Sequence, residues 1–433
     1  MRILVLSNTP WSNDNSFGNS FSNIFEGISE LEFANIYCRY GRPSNNIVKK
    51  YYQITEKSLL RNLFNKNYPS GKEITDNEYV SLSKSESNIL NHARKNRLQI
   101  YFIIREIIWK IGRWKSKEFE RFIIDFKPDL LFQPVYYSGY LNDIALYIKR
   151  LTNVPMICYV SDDVYTLRQF SLSPLFWLRR LLIRPKIKKI INKCSLLYVI
   201  SDMQKKEYEK CFGVRCKILT KGADFSGEPS LKESCDGPIT LVYTGNIGSG
   251  RWKMLALLAK AIKEANKEQV RAKLHIYTMT PVSKRIKDML NIENSSYLMG
   301  GVPFSEVKQI QQDADVLVHV ESFSLKERLK ARQSFSTKLV DYFHACRCIF
   351  AIGSMDLASI YHLHKNDAAV IATSKDEIKK RLNDIINDPG LLRKYAINAW
   401  KCGRFNHQIT DIRSNLMKDI KEALGWDDEN SNS

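Results

Sequence analysis

Several residue types and segments are scarce in this 433-residue chain, and each scarcity excludes something. Glycine (19) and proline (13) are few, which excludes collagenous and low-complexity character. No window approaches the roughly 18 uncharged apolar residues that a membrane-spanning helix needs. The opening Met-Arg-Ile-Leu-Val-Leu-Ser-Asn is too short an apolar run for a signal peptide. The nine cysteines form no CxxC pair, and Cys158 and Cys348 sit in apolar, strand-like runs. Reduced, buried thiols in a cytosolic protein are therefore expected. Histidine is rarer still, with only His92 before residue 275, so the first half offers no ground for a Ser-His-Asp or Cys-His system. His275, His319 and His344 alternate with apolar residues as core or cleft-lining groups do. No HxxxH or acidic cluster points to an obligatory metal.

What is abundant is positive charge. Lys+Arg number 66 against 46 Asp+Glu, a formal +20, which calls for an anionic partner: nucleic acid, an acidic membrane surface or a phosphorylated ligand. Hydrophobic residues at 44% allow more than one core, and the length suits two or three domains. Continuous apolar runs at 2–7, 33–38, 130–134, 155–161 and 195–201 read as buried strands, the last two each followed by helical sequence. Helices are expected over 21–28 and, strongly basic, over 91–126, whereas 41–90 reads as an insertion, partly irregular. A linker at 221–238 precedes a second alternation. Its strands are expected at 239–244, 272–278, 296–299, 315–320, 348–352 and 367–372, and its helices at 251–266, 282–291, 304–313, 336–346, 374–387 and 390–402. An amphipathic stretch, 411–425, closes the chain before a polar tail. The pattern predicts two doubly wound, Rossmann-like α/β domains in tandem.

Three strand ends carry candidate chemistry. Thr244-Gly245-Asn246-Ile247-Gly248-Ser249-Gly250-Arg251 joins a strand to a helix, where free N–H groups favour an anion and Arg251 and Lys253 add charge. It is neither a dinucleotide fingerprint nor a P-loop, and an ordinary tight turn explains it equally well. Ser334-Phe335-Ser336-Thr337-Lys338-Leu339-Val340-Asp341 opens another helix, with Ser336 as the expected N-cap and Thr337 beside it. Lys338 is electrostatically misplaced in a first turn unless an anion sits there, and Asp341 follows at i+3. A cation and a carboxylate so spaced suit a diphosphate joined to a ribose, or else form a surface ion pair. In the first half, Asp162-Asp163 could orient or deprotonate an acceptor hydroxyl, or simply cap a helix.

Residues 176–193 interleave Arg179, Arg180, Arg184, Lys186, Lys188, Lys189 and Lys193 with Trp and aliphatics, and no acid occurs between Asp163 and Asp202. With Tyr101–Lys117 they make a basic amphipathic surface suited to anionic lipid, or the solvated back of a core-facing helix. Nucleic acid is the competing partner, but no helix-turn-helix, zinc-finger or RNP-type pattern supports it.

In this order and setting the chain resembles the GT-B glycosyltransferases, particularly the retaining enzymes of glycosyltransferase family 4 that build bacterial surface polysaccharides. The likeness covers most of the chain outside about 41–118. It rests on MRILVLS with the loop bearing Gly18 and Asn19, on FKPDLLF (126–132), and on the 194–225 segment ending Lys221-Gly222-Ala223-Asp224. Further on it rests on LVYTGNIGSGRW (241–252), YLMGGVPFSEVKQIQQDADVLVHV (297–320) and FSTKLVDYFHACRCIFAIG (335–353). Asp341 stands where the family has its second glutamate, and Cys346 and Cys348-Ile349 replace its GxPI. The interval from Glu321 to Asp341 is longer than the family's, and its first-domain histidine has no counterpart, Asp162 and Asp163 standing in that region.

The resemblance implies an acceptor domain (1–220), a donor domain (221–410) and a last helix returning to the first. A nucleotide-sugar, a UDP-sugar by preference, would be a substrate with no cofactor or metal required. Arg251 and Lys338 would hold its diphosphate, with Gly245, Gly248, Lys253, Ser336 and Thr337 around them. Asp341 would accept the ribose hydroxyls, Val302 would meet the base, and Glu321 would face the sugar. The acceptor, lipid-linked or an oligosaccharide, would lie beside Gly18 and Asn19 at the inner membrane face, with no nucleic acid involved. A sugar-nucleotide epimerase on the same scaffold and a non-catalytic nucleic-acid-binding or scaffold protein are the alternatives.

Overall fold

The computed structural model describes residues 1–13, 15–74, 99–232 and 237–426. It divides into two compact units: Met1–Leu219, rejoined by the chain from Arg413, and Thr220–Ile412.

The first unit is built on an eight-stranded sheet, in the order β4-β3-β2-β1-β5-β6-β7-β8. Its strands are β1 (Arg2–Ser7), β2 (Glu32–Tyr37), β3 (Val48–Ile54), β4 (Gly71–Ile74), β5 (Leu130–Pro134), β6 (Met156–Val160), β7 (Leu196–Val199) and β8 (Cys216–Ile218). Every pairing is parallel except β3 with β4. β1, β5, β6 and β7 are buried almost throughout, as continuous Val/Ile/Leu runs must be when helices cover both faces.

The expected insertion over 41–90 is corrected in its described part. β3 extends the sheet in parallel and β4 adds an antiparallel edge strand, with the Glu56–Phe64 helix between them, rather than interrupting it. Their signal was weak because Lys49 and Lys50 are exposed while Tyr51, Tyr52, Gln53 and Ile54 are buried in succession, which matches neither strand alternation nor a helical stripe. A reciprocal cap between Thr55 and Ser58 starts the helix. The helical reading of 91–126 becomes two helices, Gln99–Ile111 and Lys117–Phe126, the second capped by Ser116. Residues 91–98, with His92, lie outside the described residues.

The first helix is Ser16–Phe25, earlier than expected, and it takes in Gly18 and Asn19. Neither is therefore a loop residue. Gly18 is buried where a Cβ would stand 2.0 Å from the Ser12 carbonyl oxygen, so its role is close packing.

The last helix, Ile409–Leu424, is tied to the first unit by polar contacts. Arg413 donates to the carbonyls of Asn23 (2.9 Å) and Ile24 (3.2 Å). Asp419 accepts from the Tyr198 hydroxyl (2.5 Å) and from Lys217.

The second unit has a six-stranded, all-parallel sheet in the order β11-β10-β9-β12-β13-β14. The strands are β9 (Ile239–Thr244), β10 (Ala272–Tyr277), β11 (Ser296–Gly300), β12 (Val316–Val320), β13 (Cys348–Ile352) and β14 (Val370–Ala372). Strand order reverses between β9 and β12, the point where open α/β sheets bind ligands at their carboxyl edge. Cysteines among the described residues are free thiols. No helix there is long and apolar enough to cross a membrane.

Candidate functional site

Two helices and one strand deliver their chemistry to that reversal point. After β9 the chain turns through Gly245 and Gly250, at φ of +135° and +78°, into the Arg251–Ala265 helix. Gly250 is further constrained, because a Cβ there would lie 2.7 Å from the Ser322 hydroxyl. The turn thus places Arg251 at the first helical position. Glu321 follows directly on β12, and the Lys338–Ala345 helix opens with Lys338.

Arg251 and Glu321 form a two-pronged ion pair, with Nη2 to Oε1 at 2.9 Å and Nε to Oε2 at 3.2 Å. Burial works against the guanidinium's charge, but Glu321 more than offsets it, and the Arg251 pKa is raised overall.

Lys338 has no such partner. Among the described residues, no hydrogen bond or ion pair engages its ammonium, which lies 4.2 Å from the Tyr243 ring centroid. Dense surroundings, then the charge of Arg251, pull its pKa down to about 7, against an upward pull from Glu321. Arg251 and Glu321 are thus the charges that act on Lys338. His319 is fully buried, neither ring nitrogen making a hydrogen bond, with Nε2 3.9 Å from Glu321 Oε1. Burial, then Lys338 and Arg251, hold it neutral, far below its ordinary pKa. Below it the floor is cross-linked. Tyr342 donates to the Val318 carbonyl (3.2 Å), and Gln311 donates to the Thr244 hydroxyl (2.9 Å).

Arg251 and Lys338 concentrate positive charge that, among the described residues, Glu321 neutralises only in part. An anion placed there would relieve the repulsion between Arg251 and Lys338 and restore the ordinary charge of the lysine.

The other candidates are placed as follows. Gly245 lies beside Lys338, its Cβ position 3.8 Å from the ammonium. Gly248 shapes the turn through its N–H, bonded to the Asn246 side chain (2.6 Å). Lys253 is exposed, lies over the Trp252 ring and projects from another side of the helix. Thr337, not Ser336, stands at the N-cap, without a side-chain cap, while the Ser336 N–H donates to Ser359. Val302 follows β11, two strands from β9 on the same sheet edge.

Asp341 does not pair with Lys338. Its Oδ1 is 2.7 Å from Lys221 Nζ, so the expected i,i+3 partnership gives way to one spanning the unit. Sequence reading also missed Tyr243 as the platform beneath Lys338. Its only signal was an aromatic residue one position before a strand's end.

In the first unit the acidic pair divides. Asp162 is exposed, whereas Asp163 is buried against Arg180 at 3.1 Å and accepts from the N–H groups of Tyr165 and Thr166. No helix starts there, since the next begins at Pro174. Asp163 pins the loop and is withdrawn from the catalytic candidates. Arg180 leaves the membrane-docking set for the same reason, being 3% exposed. Arg179 donates to the Tyr137 carbonyl (2.7 Å) and Arg184 to that of Tyr165 (2.9 Å), so both are engaged inward. Lys186 pairs with Asp143, and Lys188 and Lys189 are exposed. Among the described residues no cluster of His, Cys, Asp and Glu could hold a metal.

The two units, each built on a largely parallel sheet, have the GT-B fold. Among solved structures, the chain is similar to Anabaena HepE in complex with UDP, with a TM-score of 0.60, 13% identity, and coverage of 98% of this chain and 100% of that one. Sucrose-phosphate synthase from Thermosynechococcus elongatus matches with a TM-score of 0.62 and 10% identity over 98% and 100% of the two chains. The UDP-forming α,α-trehalose-phosphate synthase of Burkholderia vietnamiensis matches at 0.58 and 10%, over the same shares. No protein-family model and no curated protein sequence matches the chain.

Proposed function

We propose that the chain is a retaining glycosyltransferase of the family 4 type, moving a sugar from UDP-sugar to an acceptor hydroxyl without a metal. One observation carries the reading: the unpaired ammonium of Lys338 beside the Arg251–Glu321 pair at the sheet's reversal point. Solved neighbours bound to UDP and to UDP-glucose support the same ligand class.

In this reading Arg251 and Lys338 hold the diphosphate, Asp341 takes the ribose hydroxyls, Val302 meets the base through its backbone, and Glu321 faces the sugar. When the bond from the anomeric carbon to the β-phosphate oxygen breaks, negative charge grows on the diphosphate. Cations already fixed there stabilise that charge more than they stabilise the bound donor, which is the condition for acceleration. The acceptor oxygen bonds to the same carbon, and its proton leaves with the UDP. The acceptor is lipid-linked or an oligosaccharide of surface polysaccharide synthesis, and the enzyme works in the cytoplasm, peripherally on the inner membrane face.

A thermal-shift series against UDP-, GDP- and dTDP-sugars tests the donor assignment. A UDP-sugar should raise the melting temperature by linkage, and Lys338→Ala and Arg251→Ala should abolish the rise. If no nucleotide moves the transition, the assignment fails.

A further inference from the structure

The first unit carries an outward apolar face of a kind soluble surfaces avoid. The Gln99–Ile111 helix is apolar around most of its circumference yet fully buries only Arg105 and Trp109. Ile100, Ile104, Ile107 and Ile111 recur at four, three and four residues, forming one outward stripe with each side chain 49–56% exposed. Beside it the Pro174–Ile191 helix turns out Leu175, Leu178, Leu181 and Leu182, the last 64% exposed. Arg179 lies over the Phe102 ring at 4.8 Å and joins the two helices.

Between these helices and the Gly139–Thr152 helix opens a recess of about 950 Å³. Eight cationic side chains line it against only Glu106 and Asp143. Both acids are already engaged. Glu106 accepts from the N–H groups of Gly139 (2.8 Å) and Tyr140 (3.2 Å), and Asp143 pairs with Lys186 (2.6 Å). Lys110, Arg113, Lys189 and Lys193 are exposed and, among the described residues, enter no ion pair.

We infer that this face docks on a bilayer containing anionic phospholipid, with the isoleucine and leucine stripes at the acyl boundary and phosphorylated headgroups in the recess. Both halves of the pattern are needed to choose the partner. Nucleic acid would match the cations but would meet aliphatic side chains where it stacks on aromatic ones. A purely apolar partner would leave the cations unmatched. A bilayer with anionic headgroups supplies phosphate and hydrocarbon at neighbouring depths. The inference deepens the membrane part of the proposed function and relies on it only for its place in the reaction.

Flotation of the full chain tests it, with vesicles of equal parts phosphatidylglycerol and phosphatidylcholine set against phosphatidylcholine alone. The protein should float with the first and not the second, and less so as salt rises. Leu178→Glu with Leu182→Glu, and separately Lys189→Glu with Lys193→Glu, should each weaken binding roughly tenfold or more. These residues are exposed, so the far-ultraviolet spectrum should not change. Absence of flotation, equal binding to both vesicles, or variants that bind like the parent would overturn the inference. So would variants that instead lose an RNA oligonucleotide or dissolve a dimer. The UDP-induced thermal shift, read on the same samples, reports on the donor site alone and keeps the two failures apart.

Discussion

Arg251 and Glu321, 70 residues apart, hold each other through two hydrogen bonds while the neighbouring Lys338 ammonium is left without a carboxylate. The asymmetry separates the two cations by experiment. Arg251→Ala removes a charge and also strands a nearly buried carboxylate, Glu321, at the proposed diphosphate site. It should weaken UDP binding by about 1.5–3 kcal/mol and destabilise the empty protein as well. Lys338→Met should weaken UDP binding comparably but raise the melting temperature of the empty protein, by about 1–2 kcal/mol in stability, because it removes an uncompensated charge. Calorimetric UDP titrations and thermal denaturation of both variants check this. Equal destabilisation by the two would contradict it.

The depressed Lys338 fixes a pH dependence. In the empty protein its pKa is about 7, below its ordinary 10.5. Between those values the folded protein binds fewer protons than the unfolded chain, so this group's contribution makes stability rise with pH across that window. A bound diphosphate favours the charged lysine and raises its pKa again. UDP binding above pH 7 should therefore take up a proton, and affinity should fall with rising pH by up to about tenfold per unit. Titration at pH 8 in two buffers of different ionisation enthalpy measures the uptake, which Lys338→Met should abolish. Buffer-independent heats would sink the idea.

β9 and β13 could be read from the sequence to the residue, because each is a continuous apolar run that ends where the helix-period pattern takes over. β3 could not, since consecutive buried tyrosines next to exposed lysines carry no single period. At the site, Arg251 and Lys338 were legible from charge placed at helix starts, where a cation is unfavourable without a ligand. The partners of Asp341 and Asp163 were not. Lys221 is 120 residues from Asp341, and Arg180 reaches Asp163 across a loop that local sequence presents as a helix cap. Spacing rules report neighbours along one element and miss pairs made by tertiary packing.

The Asp163–Arg180 pair is nearly inaccessible, with side-chain exposures of 1% and 3%. Removing one member leaves the other charge buried and unmatched. Asp163→Ala should cost the first unit about 3–5 kcal/mol, whereas the same change at exposed Asp162 should cost less than about 0.5 kcal/mol. Activity per folded molecule should survive Asp163→Ala if its task is to pin the loop. A catalytic loss at full stability would return Asp163 to the candidate acids. Denaturant unfolding together with activity normalised to folded protein distinguishes the outcomes.

Lys221 reaches Asp341 at 2.7 Å from a largely buried position, so it restrains the carboxylate rather than forming a loose surface pair. If that carboxylate receives a ribose diol, Lys221 acts as a positioning residue for the nucleoside and leaves the diphosphate untouched. Lys221→Met should then weaken UDP several-fold while leaving inorganic diphosphate binding unchanged, and should cost about 1 kcal/mol of stability. Asp341→Asn should show the same selectivity, because a neutral amide accepts the diol less strongly. Competition titrations with UDP and diphosphate read the two affinities on one sample. Parallel losses of both ligands would mean that Lys221 serves the charge of the site as a whole, and the ribose assignment of Asp341 would fall.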